Sequence, residues 1–486
     1  METPFFPQWR HRLAPFSTRL RKVRQATLSE LEFLFAGIFP PHLLAQADDG
    51  PNSRERIFPI RRTFWLFLSQ VLTPHTSCRA VVRQLQAILG LQHQKQIDSA
   101  NTAYVQARAR LPFHTLLTAL HLSADAAQAR CMRSSAGFLG GRPVKVLDAT
   151  STQLADTPAN QARFPQPSGQ RIGCGFPVMK IMALFSLASG AVLHVACEHL
   201  HWHDSRLFRR MRRFFRPGDI ILGDRAFSDY ASLAELPRRG VDLLARLHQG
   251  RKLDFRKPSK RLGKLDALFR WSKNPARPKH MTSKQWKRVP DEITVRVLRY
   301  RIQEPGFRTR EIRLVTTLTD PRAYPAAALF ALYRRRWRLE LCFRDLKTSM
   351  GMETLSCQSP AMVIKELHMF LIAHNLVRCL MAEAAGIHEV DLERVSFKGS
   401  VDATREFSNA LAKATSRKSR RRLEDDLLTI LATDLVPERP GRREPRATKR
   451  RPKPYPLLTR PRDSYVEILH PNRYKKCTTR KSKGLI

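Results

Sequence analysis

No C-x-x-C pair occurs among the eight cysteines, which fall singly at 78, 131, 174, 197, 342, 357, 379 and 477. That scatter excludes a zinc ribbon and a short secreted disulfide framework, and it fits reduced thiols in a cytoplasm or nucleus. The opening METPFFPQWRHRL lacks a sustained apolar stretch, so no signal peptide is expected. Long uncharged apolar runs are also missing: the longest, 181–197, is short for a membrane helix and carries Ser189-Gly190 in its middle. It reads instead as a β-hairpin turning at that dipeptide, and no membrane partner is expected. Glycine is outnumbered, 21 against 32 prolines, yet 42% of the 486 residues are hydrophobic and 26% charged. Such a chain buries real cores, in roughly three domains of about 150 residues each. The scarcest resource is negative charge: 42 Asp+Glu face 86 Lys+Arg, a formal net charge of +44. That excess is too large for a free metabolic enzyme and calls for a polyanion, nucleic acid before a membrane surface.

What is present changes in texture along the chain. The first 140 residues read mostly helical, with a Thr27-x-x-Glu30 capping box before LEFLF and a second helix opening near Ser77. Arginine-rich helices recur in CRAVVRQLQ and YVQARARLPF. They suit either a compact DNA-binding unit or a helical support with solvated basic faces. From Val144 short strands alternate with turns: VKVLD, the hairpin FPVMKIMALFSLA with AVLHVACEHL, then DIILGD and VDLLARL. This is a mixed α/β order. Residues 249–325 form a β-rich stretch with ITVRVLRYRI and REIRLVTTL, and long helices are expected over about 325–350 and 362–384. The last fifty residues, 437–486, hold 16 Lys+Arg and 4 Asp+Glu, a tail expected to coat phosphates or stay disordered.

Two aspartates stand out by position. Asp148 is expected to end the strand VKVLD, and Asp224 to end DIILGD after a glycine that permits close backbone approach. Carboxylates at strand ends face the place where α/β sheets bind ligands, although a lone Asp there is more often a turn residue. Asp204, Asp219 and Asp229 compete for the second role. Asp224 is preferred because it follows its apolar strand directly, whereas Asp219 precedes it and the other two sit in helix-start contexts. A third element is the run YRRRWRLELCFRDLK. At about 100° per residue, Tyr333, Arg336, Glu340 and Lys347 fall within a stripe of about 60°, beside an apolar stripe of Leu332, Leu339, Phe343, Leu346 and Met350. A solvated face with i,i+4 ion pairs would look the same.

The spacing Tyr-x2-Arg-x3-Glu-x6-Lys, met by Tyr333, Arg336, Glu340 and Lys347, resembles the signature of the insertion-sequence-four type of bacterial DDE transposase. The segments from LDATSTQLADTPANQARF to SLASGAV, HDSRLFRRMRRFFRPGDIILGDRAFSDY and GVDLLARLHQGRKLDF are similar to that family too, as are SCRAVVRQL and AYVQARARLP. The resemblance implies an α/β fold: a ribonuclease-H-like catalytic core with a β-rich insertion and a mostly helical N-terminal domain. The expected units are a helical, DNA-binding 1–140, core at 141–248, insertion at 249–325, the rest of the core with its Glu-bearing helix at 326–400, a helical segment at 401–436 and the tail at 437–486. It makes Asp148, Asp224 and Glu340 the catalytic, metal-binding triad for two Mg²⁺, with Mn²⁺ as a substitute. Tyr333, Arg336 and Lys347 become contacts to DNA-end phosphates, and Trp271 or Trp286 a platform for a flipped base. The chemistry explains the residue types: two hard cations about 3.5 to 4 Å apart activate an oxygen nucleophile and neutralise the phosphate, and carboxylates hold them. Arginine grips phosphate through its fork and lysine as a point charge.

His199, His201 and His203 alternate in HLHWHD and on a strand would share one face beside Asp204, the donor set of a zinc site or an ordinary strand end. Arg209, Arg210, Arg212, Arg213 and Arg216 read as a basic helix face, and Phe185, Phe214 and Phe215 as core. The expected activity is cut-and-paste transposition: binding of terminal inverted repeats, hydrolysis at element ends and joining of 3′-hydroxyls to target DNA. The resemblance adds a hairpin intermediate, a homodimeric synaptic complex and a bacterial cytoplasmic, nucleoid-associated setting. The alternatives are a catalytically inactive DNA-binding remnant or regulator, and a nuclease without strand transfer.

Overall fold

The computed structural model describes residues 30–45, 56–91, 96–131, 137–251, 253–278, 281–301, 311–414, 416–437, 460–461 and 464. Thr27 of the expected capping box and nearly all of the 437–486 tail lie outside the described residues. Five helices come first: α1 (Glu30–Phe35), α2 (Ile60–Leu72), α3 (Cys78–Leu91), α4 (Thr102–Arg110) and α5 (Phe113–Cys131). The start of α3 follows from Ser77, whose hydroxyl accepts the Ala80 N–H at 3.1 Å and so satisfies a donor left over at the helix end. Helix α2 buries Phe64, Trp65, Leu66, Phe67 and Leu68 in succession, the pattern of a helix packed on several sides.

The sheet strands are β1 (Phe138–Leu139), β2 (Arg142–Leu154), β3 (Val178–Ser186), β4 (Val192–His199), β5 (Ile220–Gly223) and β6 (Asp242–Arg246), then β7 (Lys260–Gly263), β8 (Asp266–Ser272), β9 (Glu292–Arg301), β10 (Glu311–Thr316) and β11 (Thr354–Leu355). Among the described residues they form one sheet in the order β4-β3-β2-β5-β6-β10-β9-β8-β7, with β1 and β11 against β2. The strands of residues 249–325 are therefore in line with the rest, because β10 pairs antiparallel with β6. The β3–β4 turn falls at Ser189-Gly190 as expected, with Gly190 at φ +71°, which a side chain would strain. The apolar run 181–197 is thus hairpin rather than membrane helix.

Along β2, Val144 and Val146 belong to one core with Ile181 and Phe185 of β3, while Leu147 belongs to the opposite one with Met182 and Leu184. The remaining helices are α6 (Pro158–Arg163), α7 (Asp204–Met211), α8 (Tyr230–Glu235), α9 (Ser283–Arg288), α10 (Ala326–Arg334), α11 (Arg338–Arg344), α12 (Pro360–Ile387), α13 (Phe397–Lys413) and α14 (Arg417–Thr433). On the Val144 face lie Leu329 and Leu332 of α10, Phe343 of α11, and Leu367, Leu371 and Ile372 of α12. Leu207, Phe208 and Met211 of α7 cover the other face. Each such fully buried side chain contributes about 1.5–3 kcal/mol, which fixes the helices on the sheet. By length and composition α12 is apolar enough to cross a membrane, but 78% of its apolar window is buried inside the protein, as in a core helix.

Candidate active site

β2 does not end at Asp148. It runs six residues further, to Leu154, because the antiparallel partner β3 continues alongside, with Asp148 opposite Ala183 and Gln153 opposite Val178. The expectation of a strand terminus at Asp148 is corrected: ATSTQL carries only Ala149 and Leu154 as apolar residues, and pairing to β3 extends the strand past the apolar run VKVL. On its other edge β2 pairs with β5 only at residues 144–146 and with β11 at 153–154. Among the described residues no strand covers 147–152 on that edge. Asp148 stands in this opening, on the same face as Val144 and Val146 by strand alternation.

Asp224 reaches the same opening from the end of β5. The parallel pairing of Val144, Lys145 and Val146 with Ile220, Ile221 and Leu222 runs at the 76-residue offset that also separates the two aspartates, so Asp224 follows in register with Asp148. Gly223 is needed here by space: a Cβ on it would lie 2.8 Å from Cδ2 and 3.3 Å from Cβ of the buried Phe227. The competing aspartates are engaged elsewhere. Asp219, before β5, pairs with Lys145 at 2.6 Å; Asp204 begins α7 and holds Lys180 at 2.9 Å; Asp229 caps α8 by accepting the Ser232 N–H at 3.1 Å.

The third element is helical throughout but not uniform. Between α10 and α11 the turn at Arg335–Trp337 tightens to a 3-10 helix, and Asp345–Ser349 widens to a π-helix. The single 100° wheel therefore does not hold along its length. Tyr333 is buried in the core, Glu340 remains half exposed, and Lys347 lies partly covered on the π turn. Leu332, Phe343, Leu346 and Met350 face the core as the sequence predicts. The side chain of Leu339 lies outside the described residues.

Arg336 joins these pieces. Its Nη1 donates to Asp148 Oδ2 at 3.4 Å, its Nη2 is 4.0 Å from Glu340 Oε1, and its guanidinium lies 5.7 Å from the centre of the Tyr333 ring. Burial works against the Arg336 charge, but Tyr333, Asp148, Asp224 and Glu340 together keep its pKa above the ordinary value. Burial likewise raises the Asp148 pKa; the Ala149 N–H, at 2.8 Å, and Arg336 oppose this, whereas Asp224 and Glu340 add to it. Asp148, repelled by Asp224 and Glu340 and paired with one guanidinium, stands where negative charge is in excess. Burial raises the pKa of the Tyr333 phenol, and burial lowers that of Lys347 against the pull of Glu353.

Hard oxygen donors of this kind fit Mg²⁺, which tolerates shared carboxylates and retained water. Among the described residues no three His, Cys, Asp or Glu side chains already stand at the spacing of a closed metal cluster. Arg336 pairs with Asp148, and the Glu340 side chain is 52% exposed. The imidazole trio does not assemble either. β4 ends at His199, the His199 and His201 rings are 5.7 Å apart, and His203 instead caps α7 by accepting the Ser205 N–H. Trp271 and Trp286 are both buried, under Arg251 and within the α8–α9 contact, so neither is open to stack a base in this conformation.

The family described as "Transposase DDE domain" matches residues 139–376, the stretch that contains all three carboxylates and Lys347. The chain is also 25% identical over 427 residues to "Transposase InsG for insertion sequence element IS4" of Escherichia coli (strain K12), covering 86% of this chain and 91% of that one. Both matches support an insertion-sequence-four type of DDE transposase. Among solved structures it is similar to a piggyBac transposase in a synaptic complex with hairpin DNA, at 9% identity and a TM-score of 0.41 over 85% of each chain.

One further group in this transposase has no motif to mark it. Arg246 ends β6, and because Gly223 pairs with Ala245, Arg246 follows in register beside Asp224. It acts electrostatically on Tyr333. A cation at the carboxyl end of the next parallel strand is the signal that points to it.

Proposed function

We propose that this transposase binds terminal inverted repeats of an insertion sequence and cuts and joins DNA strands with two Mg²⁺ held by Asp148, Asp224 and Glu340, on a ribonuclease-H-like core. What supports this reading is that Arg336 pairs with Asp148 and lies 4.0 Å from Glu340, while Asp224, in register with Asp148, acts on the same guanidinium electrostatically. The bound cations would activate the attacking oxygen and neutralise charge on the attacked phosphate. Everything else falls to the chain. Arg336, Arg246 and Lys347 hold phosphate oxygens and fix the scissile group in line. Tyr333, from beneath, positions Arg336 rather than meeting DNA itself. The opening in the β2 edge admits the strand, and no protein nucleophile is required. In the first step a water oxygen bonds to phosphorus as the P–O3′ bond breaks, freeing a 3′-hydroxyl. In the second that hydroxyl attacks a target phosphorus, displaces its 3′ oxygen and joins the strands.

A homodimer pairing two ends, acting in the bacterial cytoplasm on the nucleoid, completes this cut-and-paste reading. The test is incubation of the full chain with a duplex carrying the inverted repeat that borders its coding region, with and without Mg²⁺. Cleavage at the repeat tip and joining to a second duplex only with metal supports the reading. Binding without cleavage at any Mg²⁺ or Mn²⁺ concentration overturns it.

A further inference from the structure

Beyond Asp148, β2 sets two threonines on the same face by strand alternation, Thr150 and Thr152, before the buried Leu154. Register fixes their order: Asp148 stands opposite Ala183 and Thr150 opposite Ile181. The two hydroxyls differ in what they meet. Thr152 is buried, and its hydroxyl donates to the Met352 and Glu353 carbonyls at 2.8 and 3.0 Å. Thr150 is half-buried, and its hydroxyl has no hydrogen-bond partner among the described residues. The main chain next to it is open as well. The Leu154 N–H goes to the Pro177 carbonyl on the β3 side at 3.0 Å, and the Gln153 N–H to the Glu353 carbonyl on the other side at 3.2 Å. By that alternation the Ser151 N–H faces the second edge, where among the described residues no strand pairs with β2 from 147 to 152.

Two free donors therefore stand in the opening, and cations lie on both sides of them. Arg336 holds Asp148 at one end. At the other, Lys347 on the π turn is acted on by the charge of Glu353, whose carbonyl receives Thr152 and Gln153. Thr150 lies midway between Asp148 and Thr152, about 7 Å along the strand from each at about 3.4 Å per residue. A hydroxyl and an N–H with nothing to donate to, between two cations, suit an oxygen anion. We infer that Thr150 contacts the DNA strand being cut: its hydroxyl, with the Ser151 N–H beside it, donates to a non-bridging oxygen of the phosphate next to the scissile one. The scissile phosphate belongs with the carboxylates, so the donors two and three residues further along β2 take its neighbour. Neutral donors serve here where another cation would compete for Asp148: they fix a phosphate oxygen without drawing the carboxylate away from a metal. The inference rests on the transposase reading of the carboxylate site.

The test uses the full chain with Mg²⁺ and inverted-repeat duplexes in which single phosphates around the cut are replaced, one at a time, by uncharged methylphosphonate. Single-turnover cleavage and affinity are measured for wild type, Thr150→Val and Thr150→Ser. Valine has nearly the shape of threonine and suits a strand, so Thr150→Val should melt at the wild-type temperature yet cleave unmodified ends about tenfold or more slowly. Thr150→Ser, which restores the hydroxyl without the methyl, should recover most of that rate; a packing role would give the reverse order. At the phosphate beside the scissile one, methylphosphonate should cost Thr150→Val about tenfold less than it costs wild type, because the contact it removes is already gone. At other phosphates the two costs should be equal. The assignment is overturned if Thr150→Val cleaves within about threefold of wild type, if Thr150→Ser is the slower of the two, or if methylphosphonate costs both proteins the same at every position. Absence of cleavage by wild type refutes the catalytic reading instead. Affinity then decides Thr150: the contact stands if methylphosphonate at one phosphate weakens wild type more than Thr150→Val, and falls if it weakens both equally.

Discussion

Arg336 and Asp148 are 188 residues apart in sequence and 3.4 Å apart in space, from Nη1 to Oδ2. The same guanidinium faces Glu340, so one cation, 11% exposed, balances carboxylates from a strand and a helix. Arg336→Ala should slow cleavage of repeat-bearing ends by about a hundredfold or more, while random-duplex affinity changes less than about threefold. Arg336→Lys should recover only part of the loss, because a point charge lacks the planar fork. Single-turnover cleavage and filter binding on the same preparations separate the two effects. Equal losses in both would reduce Arg336 to general basic surface.

Gly223→Ala tests the approach of Asp224. The added methyl would press on Phe227, which packs against Phe208 with ring centroids 4.8 Å apart. The expected cost is about 1–3 kcal/mol of stability, with a fall in cleavage larger than the unfolded fraction explains, since Asp224 moves with the strand end. Denaturant titration beside cleavage rates measures both.

How far the sequence carried is clearest at these two aspartates. DIILGD states its own end, because apolar residues stop at a glycine and the chain then turns. VKVLDATSTQL does not, because a strand extended by pairing rather than by its own apolar pattern is invisible to periodicity. The wheel over YRRRWRLELCFRDLK treated as uniform a run whose 3-10 turn at Arg335–Trp337 separates buried Tyr333 from half-exposed Glu340 and whose π turn carries Lys347, and neither irregularity has a one-residue signature. The histidine alternation left a zinc set and an ordinary strand end both open, and β4 stops at His199 with the other two in a turn and a cap, as an ordinary strand end does. Arg246 was silent because its significance lies in register, not spacing.

Acid should destabilise the protein through His374. Full burial lowers its pKa from 6.5 to about 3, with Arg378 adding to the effect. A folded-state pKa below the unfolded one means that stability is complete above pH 6.5 and lost as pH falls toward 3, at up to about 1.4 kcal/mol per pH unit. His374→Leu should therefore be worth about 2 kcal/mol more to stability, relative to wild type, at pH 5 than at pH 7. Urea midpoints at the two pH values check this; a constant difference would contradict it.

Removing residues 437–486 should flatten the salt dependence of binding. The segment carries 16 Lys+Arg against 4 Asp+Glu, and each lost phosphate contact should lower the slope of log K against log salt by about 0.9. Titrations of full-length and truncated chains on one random duplex give the slopes. Identical slopes would mean that the tail does not touch phosphate.

The central claim is that Asp148, Asp224 and Glu340 act together as the metal-holding groups of strand cleavage. It is tested most directly by measuring Mg²⁺-dependent cleavage of repeat-bearing duplex by Asp148→Asn, Asp224→Asn and Glu340→Gln, each beside its affinity for random duplex. The account predicts that each substitution alone lowers cleavage by about a thousandfold or more while affinity stays within about threefold of wild type. Cleavage within tenfold of wild type by any one of the three would contradict it, and for Asp224 would return the second role to Asp204, Asp219 or Asp229.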